Sequence, residues 1–264
     1  MFPYPALLSS KCNGVTSFTA FLILSCDTIG FNFLTESEMK EVWWCILKIK
    51  YFDFSSGDHS WNYFVYSQWW PQSQCYYKHV GNVKVDPWRI NEAKFTNSCV
   101  PTGVDTWTIH GLWPTVNGTP SPSFCNNSWH FDENEIQDLK PKMMTKWLSF
   151  PDTSESNAIY LWKHEWEKHG TCAASLPALS SQHKYFFQAL ALNLQYNLLK
   201  GLGSVNIVPS DSRQYDVDDV ENAIRKTIGT KGRVVCIDGP DDVSYLGGIR
   251  FCLDKNFNAI DCLV

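Results

Sequence analysis

The ten cysteines of this 264-residue chain constrain its fold more than any other feature. Proteins of the reducing cytosol rarely carry so many, because thiols stay reduced there. No two of them form a Cys-X-X-Cys pair, which argues against a zinc ribbon or a dithiol redox motif. We therefore predict a disulfide-stapled protein of an oxidising compartment. Glycosylation sequons at Asn117 and Asn126 agree with such a compartment.

The balance of charged and aromatic residues limits how the chain can bind a polyanion. The formal net charge is -5 and the pI is near 5.8, so the chain lacks the excess of Lys and Arg that a broad nucleic-acid-binding surface needs. A nucleic acid would have to be held locally, and repulsion would be weakest at acidic pH. Twelve Trp, 11 Tyr and 16 Phe supply flat faces that pack a core or stack on bases.

The first 58 residues differ in character from the rest of the chain. The apolar run from Phe18 to Cys26 resembles the core of a signal peptide, but it lacks a small-residue cleavage site and is too short to span a membrane. We expect residues 1–58 to be a leader or extension and residues 59–264 to be one globular domain. Stable membrane insertion is not expected.

Hydrophobic periodicity and capping residues predict the elements of that domain. Strands are expected at residues 61–70, 107–109, 233–237, 248–253 and 259–263. Helices are expected at residues 132–147, 160–169, 182–200 and 216–228, the first with a kink at Pro141 and the second ended by Gly170. Helices enclosed between groups of strands predict an α+β fold with a central, mainly antiparallel sheet flanked by helices.

The densest group of reactive side chains lies in the second predicted helix. At about 100° per residue, four titratable groups fall on one face: His164, Glu165, Lys168 and His169. An ordinary surface helix would explain the charged pairs, each worth only ~0.2 to 0.5 kcal/mol. It does not explain two histidines, a lysine and a glutamate gathered beside the tryptophans at 162 and 166, so the cluster is interpreted as a functional site.

A zinc site is the first alternative for this cluster, because a His-Glu pair also begins the HExxH helix of zinc proteases. In this sequence the second histidine follows the first by five residues, which rotates it by about 140° on a regular helix. Zinc proteases place both histidines four residues apart on one face. The spacing therefore predicts no metal site.

His110 is the second candidate, at the point where a predicted strand meets Gly111. The following Leu112-Trp113-Pro114 is expected to form a stiff aromatic corner that holds the imidazole beside a stacking surface. A single histidine beside a glycine is weak evidence by itself, so its weight depends on the helix cluster.

The two segments WTIHGLWP (residues 107–114) and WKHEWEKHGTC (residues 162–172) resemble the active-site segments of the ribonuclease T2 family. Gln68-Trp69-Trp70-Pro71 supports the resemblance, which covers residues 59–264. It implies a secreted or endolysosomal endoribonuclease that cleaves single-stranded RNA without a cofactor and acts as a monomer. DNA is not an expected substrate, because it lacks the 2′-OH nucleophile.

The resemblance also implies a role for each cluster residue. His169 is the general base and His110 the general acid of a transphosphorylation that gives a 2′,3′-cyclic phosphate and then a 3′-phosphate. Lys168 stabilises charge on the phosphorane, His164 binds phosphate, and Glu165 orients or polarises the cluster. A catalytically weak secreted glycoprotein that uses the same fold for binding or signalling is the alternative.

Base-binding residues and disulfides follow from the same resemblance. Trp113 corresponds to the stacking residue of the first base site and Gln68 to a contact of the second site. Thr115 and Leu161 depart from residues found in some family members, so no base preference is predicted. Three disulfides are implied: Cys75–Cys99, Cys125–Cys172 and Cys252–Cys262. Cys236 is left either with a cysteine beyond this sequence or with an N-terminal one.

Overall fold

The computed structural model describes residues 6–8, 60–75, 99–117, 121–210, 213–238 and 244–262. All of them belong to one compact unit, made of residues 1–12 and 60–264. The second unit, residues 13–59, lies outside the described residues, and so do the predicted signal-like run and most of the predicted leader. None of the described helices is long and apolar enough to cross a bilayer.

The described strands form one sheet that is antiparallel at every pairing except one. The strands are β1 (Ala6–Leu8), β2 (Tyr63–Trp69), β3 (Thr108–Thr115), β4 (Gln214–Tyr215), β5 (Gly232–Asp238), β6 (Ser244–Leu253) and β7 (Ala259–Ile260). Their order is β3-β2-β6-β1-β4, and β5 and β7 also pair with β6. Only β1 and β4 run parallel. The predicted α+β class with an antiparallel-rich sheet is confirmed.

One strand of this sheet comes from the segment that the sequence assigns to a leader. Ala6–Leu8 pairs antiparallel with residues 244–246 of β6 and parallel with β4. Leu8 is buried in the main hydrophobic core. The sheet therefore begins closer to the N-terminus than the predicted domain does.

The helices lie mostly between β3 and β5, as predicted, but several bounds differ. They are α1 (Lys140–Lys146), α2 (Glu155–Glu165), α3 (Thr171–Ala173), α4 (Gln182–Gln195), α5 (Leu198–Gly203) and α6 (Val217–Ile228). Residues 71–75 are also helical, and a 3-10 turn covers Glu133–Ile136. The helix predicted over residues 132–147 is thus two elements, and Pro141 lies in the first turn of α1, where no backbone donor is needed, rather than at a kink.

The predicted helix over residues 182–200 is also divided. Asn197 interrupts it, because its side chain accepts a hydrogen bond from Lys200 N and caps α5. The helix predicted over residues 216–228 agrees with α6, which ends at Gly229 with a φ of 92°. A left-handed residue at that position is the usual helix stop, and glycine adopts it without strain.

The two faces of β2 divide the molecule into core and site. Phe64, Tyr66 and Gln68 are fully buried, and the Tyr66 hydroxyl donates to the Ala189 carbonyl of α4 at 2.9 Å. Because side chains alternate along a strand, Ser67 and Trp69 lie on the opposite face. That second face carries the candidate site.

The three disulfides implied by the resemblance are present: Cys75–Cys99, Cys125–Cys172 and Cys252–Cys262. Cys125–Cys172 ties the loop after β3 to the helix that follows the histidine cluster. Cys236 is disulfide-bonded as well, with a partner outside the described residues.

Candidate active site

His110 occupies a bulge in the sheet. Consecutive residues Ser67 and Gln68 of β2 pair with Gly111 and Ile109 of β3, so His110 is the extra residue between them. A bulge bends a strand and turns the side chain of its extra residue. The predicted strand end at His110 is wrong, because β3 continues to Thr115 and the expected corner at Leu112-Trp113-Pro114 is extended strand. Pro114 is accommodated because β3 lies at the edge of the sheet.

The imidazole of His110 is held on several sides. The Trp69 ring stacks on it with centroids 3.8 Å apart and planes 26° from parallel. Ser67 Oγ lies 3.5 Å from His110 Nδ1, and the indole N–H of Trp147 donates to the His110 carbonyl at 3.0 Å. Sequence reasoning missed Trp69. Trp69 directly follows a core position of a strand. Because side chains alternate along a strand, this place in the sequence could have assigned Trp69 to the face opposite the core.

The second catalytic segment is not a regular helix. Glu155–Glu165 is α-helical, but Trp166–Gly170 forms a π-turn before α3 resumes. Residues five apart become neighbours in a π-turn, because its hydrogen bonds run from i to i+5. The rings of His164 and His169 accordingly lie 6.1 Å apart. The predicted helix end at Gly170 is wrong, since the helical path continues to Ala173. A glycine is needed at 170 for packing, because a Cβ there would overlap the Trp166 ring.

The loop around Cys125 holds this π-turn from the side. Phe124 N donates to the Lys168 carbonyl at 2.9 Å, and Cys125 is bonded to Cys172. The Trp129 ring lies 5.7 Å from that of Trp166. The loop thus supplies a backbone donor to a carbonyl of the π-turn.

Trp113 connects the sheet histidine to the helix cluster. Its ring centroid is 4.9 Å from that of His110 and 5.6 Å from that of His169. Its indole N–H donates to Glu165 Oε2 at 2.8 Å. Gly111 makes this contact possible, because a Cβ there would overlap both Trp113 Nε1 and Glu165 Oε2. The indole therefore sets how close the strand and the helix come.

Burial controls the charge of Glu165. The residue is 1% exposed, and burial raises the pKa of its carboxyl to about 8, against smaller lowering effects of the Trp113 hydrogen bond and the Lys168 charge. Glu165 is therefore a neutral carboxylic acid at neutral and acidic pH. In that form it has a proton to donate.

Both helix histidines are shifted toward the neutral form. Burial, the Lys168 charge and His164 lower the pKa of His169 to about 3. Burial and Lys168 also lower the pKa of His164, with Glu167 opposing them. A neutral imidazole can accept a proton, so His169 has the protonation state that a general base needs even in acid.

The sequence-based argument against a metal site is wrong in its geometry. The π-turn removes the rotation assumed for a regular helix, and ligand atoms of His164, Glu165 and His169 all lie within 4.8 Å of one another. Two imidazoles and a carboxylate in that arrangement can hold a divalent cation. A cation bound there would coordinate the lone pair with which His169, the candidate base, accepts a proton.

Gln68 is corrected as a base-binding residue. It is fully buried on the core face of β2, where its side chain donates to the Tyr196 carbonyl and accepts from Asn193 Nδ2. A side chain committed to α4 on that face cannot reach RNA on the other. The five catalytic candidates and Trp113 are brought together, whereas Gln68 is not.

The predicted glycosylation sites lie on the surface. Asn117 and Asn126 are both exposed, and Asn126 Oδ1 accepts from both the backbone and the hydroxyl of Ser128. Exposure is what attachment of a glycan requires, and the modification itself stays a prediction.

The candidate active site thus consists of a helix histidine with a lowered pKa, a second histidine on a strand, and a lysine and a buried glutamate beside them. A sequence model of the Ribonuclease T2 family matches residues 61–262. The chain is 34% identical over 206 residues to ribonuclease Oy of Magallana gigas, covering 76% of this chain and 87% of that protein. It is 37% identical over 202 residues to human ribonuclease T2, covering 75% and 68%.

Solved structures agree with these sequence matches. The structure of RNase NT in complex with 5′-AMP superposes with a TM-score of 0.62 at 27% identity, covering 78% of this chain and 92% of that one. The chain belongs to the ribonuclease T2 family.

Proposed function

We propose that this endoribonuclease cleaves single-stranded RNA by metal-independent acid–base transphosphorylation between His169 and His110. The observation that carries the proposal is the pair of histidines whose rings both lie within 6 Å of the Trp113 ring, with the pKa of His169 lowered to about 3. One member of the pair is thereby kept ready to accept a proton.

In the first step neutral His169 removes the proton of the ribose 2′-OH, and the 2′ oxygen attacks the neighbouring phosphorus. The P–O5′ bond breaks, and His110 gives its proton to the departing 5′ oxygen. The Trp69 face stacked on His110 stabilises the imidazolium form that can do this. The product is a 2′,3′-cyclic phosphate. Its hydrolysis by water, with the two roles reversed, leaves a 3′-phosphate.

The remaining cluster residues act on the charge of the phosphorane. Lys168 supplies a fixed positive charge beside His164 and His169, where its field also lowers their pKa values. Glu165, with its pKa near 8, is protonated, and it orients or polarises the cluster from beneath through its hydrogen bond with Trp113. His164, the most exposed of the cluster, binds phosphate. Trp113 offers its ring to the base on the 5′ side of the cleaved bond.

Two related proteins have been solved with bound nucleotides, which supports RNA as the substrate. The RNase NT structure contains 5′-AMP, and a bitter gourd RNase MC1 variant is solved with 5′-UMP. We further propose a secreted or endolysosomal location and a monomer with glycans at Asn117 and Asn126. The disulfides support the location, and one tomato relative is named an extracellular ribonuclease.

The test is an assay of purified, oxidised protein on single-stranded RNA and DNA with EDTA between pH 4 and 8. We expect RNA cleavage in EDTA and none of DNA, because the 2′-OH is the nucleophile. Cleavage should persist at pH 4 to 5, since His169 stays neutral there. A folded protein that leaves RNA intact would favour the glycoprotein that only binds or signals. Activity that is lost in EDTA and restored by a divalent metal would contradict this mechanism and indicate a metal-dependent one.

A further inference from the structure

The face of the sheet that carries His110 extends well beyond the catalytic residues. A row of directly paired residues crosses four strands: Gly111, Ser67, Arg250 and Arg233. Residues paired in this way lie on the same face of a sheet. Neighbouring strands are about 4.8 Å apart, so Arg250 lies roughly 10 Å across the sheet from the strand of His110.

Arg250 turns back toward the catalytic cluster. Its guanidinium carbon lies 5.2 Å from the ring centroid of Trp113. It is the only residue of β6 that is partly rather than mostly buried, and its Nε is buried without a hydrogen-bond partner. Arg233, on the next strand, is exposed. Two guanidinium groups thus continue the site away from His110.

Neither arginine has a counter-charge in the part of the chain that the structure describes. Every ion pair found among those residues involves other cations: Lys140, Lys163 and His183. Like charges directly opposite each other destabilise a strand pair. Burial and the Arg233 charge lower the pKa of the Arg250 guanidinium, yet an arginine stays charged in proteins. The pair costs stability in the free protein and would be neutralised by an anion.

The chemistry of that anion follows from the ligand of the neighbouring site. Guanidinium forks bind phosphate oxygens through two parallel hydrogen bonds and are preferred at phosphate sites. A net charge of -5 gives the protein no general attraction for RNA, so each local cation counts. A strand of RNA with one phosphodiester at the histidines would carry the next phosphate across this face.

We propose that Arg250 and Arg233 form a second phosphate subsite, which binds a non-scissile phosphodiester of the RNA beside the one that is cleaved. The subsite rests on the proposed function, since it takes the same substrate. It makes the enzyme prefer oligonucleotides to dinucleotides, because a dinucleoside monophosphate has only the scissile phosphate. Its contribution falls with salt, as for any phosphate contact.

The test compares two substrates with wild type and Arg233→Gln. The short one is a dinucleoside monophosphate, and the long one is a pentanucleotide with a single ribose at its centre and deoxyribose elsewhere. Both can be cleaved at one bond only. We expect Arg233→Gln to lower kcat/KM on the pentanucleotide by about five- to tenfold and to leave the dinucleotide within about twofold. Arg233→Lys should restore part of the loss.

Arg233 is chosen because its exposed side chain can change without removing the contact of Arg250 with Trp113. Lys184→Gln is the matched control. It removes one positive charge from an exposed position of α4, which packs on the other face of the sheet. It should change neither substrate. Arg250→Gln should lower kcat/KM on the pentanucleotide as Arg233→Gln does. Displacement of Trp113, which Arg250 contacts, would add a further loss of kcat/KM on both substrates.

Binding without chemistry separates the subsite from the proposed function. An all-deoxy pentanucleotide is titrated by fluorescence anisotropy at several salt concentrations, and Arg233→Gln should reduce the slope of log K against log salt by about 0.7. Equal effects of Arg233→Gln on both substrates, or none on either substrate or on the salt slope, would overturn the subsite. Wild-type protein that cleaves neither substrate would overturn the proposed function, while the binding series would still decide the subsite.

Discussion

At the scale of single residues, opposite shifts in two neighbouring groups organise the site. Burial raises the pKa of Glu165 to about 8 and lowers that of His169 to about 3. Both groups are therefore neutral between those values, one with a proton to give and one with a lone pair to accept. The sequence predicted the membership of this cluster, because its density of titratable groups was visible. It did not predict that Glu165 is buried beneath the site.

Glu165→Gln is expected to stabilise the protein at neutral and alkaline pH. In the unfolded chain the carboxyl loses its proton near pH 4.5, whereas in the folded protein it keeps it to about pH 8. The folded state thus binds more protons across that window, and wild-type stability falls as pH rises through it. Glutamine removes this dependence and can still accept from Trp113. The gain should reach the order of 1 to 3 kcal/mol at pH 8.

Denaturant unfolding of both proteins at pH 4, 6 and 8 measures this gain. Glu135→Gln, an exposed glutamate on the 3-10 turn, is the matched control and should change stability little. A stability difference between wild type and Glu165→Gln that does not grow with pH would mean that Glu165 is ionised in the folded protein.

At the scale of elements, two irregularities bring the catalytic groups together. The β-bulge turns His110 toward Trp69, and the π-turn places His169 beside His164. Neither was predicted, because a period of two residues for strands and 100° per residue for helices assumes regular elements. The family segments therefore identified residues that the structure brings together, but the local geometry assumed for them was incorrect. Trp69 and Arg250 were missed because their contacts with His110 and Trp113 depend on the face of the sheet on which they lie.

Gly111→Ala tests how tightly strand and helix must approach. The added methyl would overlap Trp113 Nε1 and Glu165 Oε2, and their hydrogen bond would have to break. Displacing a catalytic group by about 1 Å can cost about a hundredfold in rate, and we expect a loss of kcat/KM of that order per folded molecule.

Gly203→Ala is the matched control for that variant, since a Cβ there meets nothing within 4 Å. It should keep wild-type activity. A Gly111→Ala protein that is folded and as active as Gly203→Ala would show that the Trp113–Glu165 contact does not position the site.

At the scale of the whole molecule, the candidate active site and the proposed arginine subsite of this negatively charged protein lie on one face of its sheet. The histidine cluster and the two arginines lie along that face, while α4 covers the other. The fold class was predicted from the order of strands and helices, and the disulfide pairs were predicted from the family resemblance. The strand at Ala6–Leu8 was not predicted, because three residues are too few to show a periodic signal.

The central claim is that His169 and His110 cleave RNA through the substrate's own 2′-OH, and the most direct measurement is the identity of the product ends. A short oligonucleotide with a single ribose and deoxyribose elsewhere is digested in the presence of EDTA at pH 5, and the fragments are followed by mass spectrometry. The account predicts that a 2′,3′-cyclic phosphate accumulates first and a 3′-phosphate later, and that His110→Ala and His169→Ala abolish most of both while remaining folded. Fragments that carry a 5′-phosphate, or full activity in either variant, would contradict it.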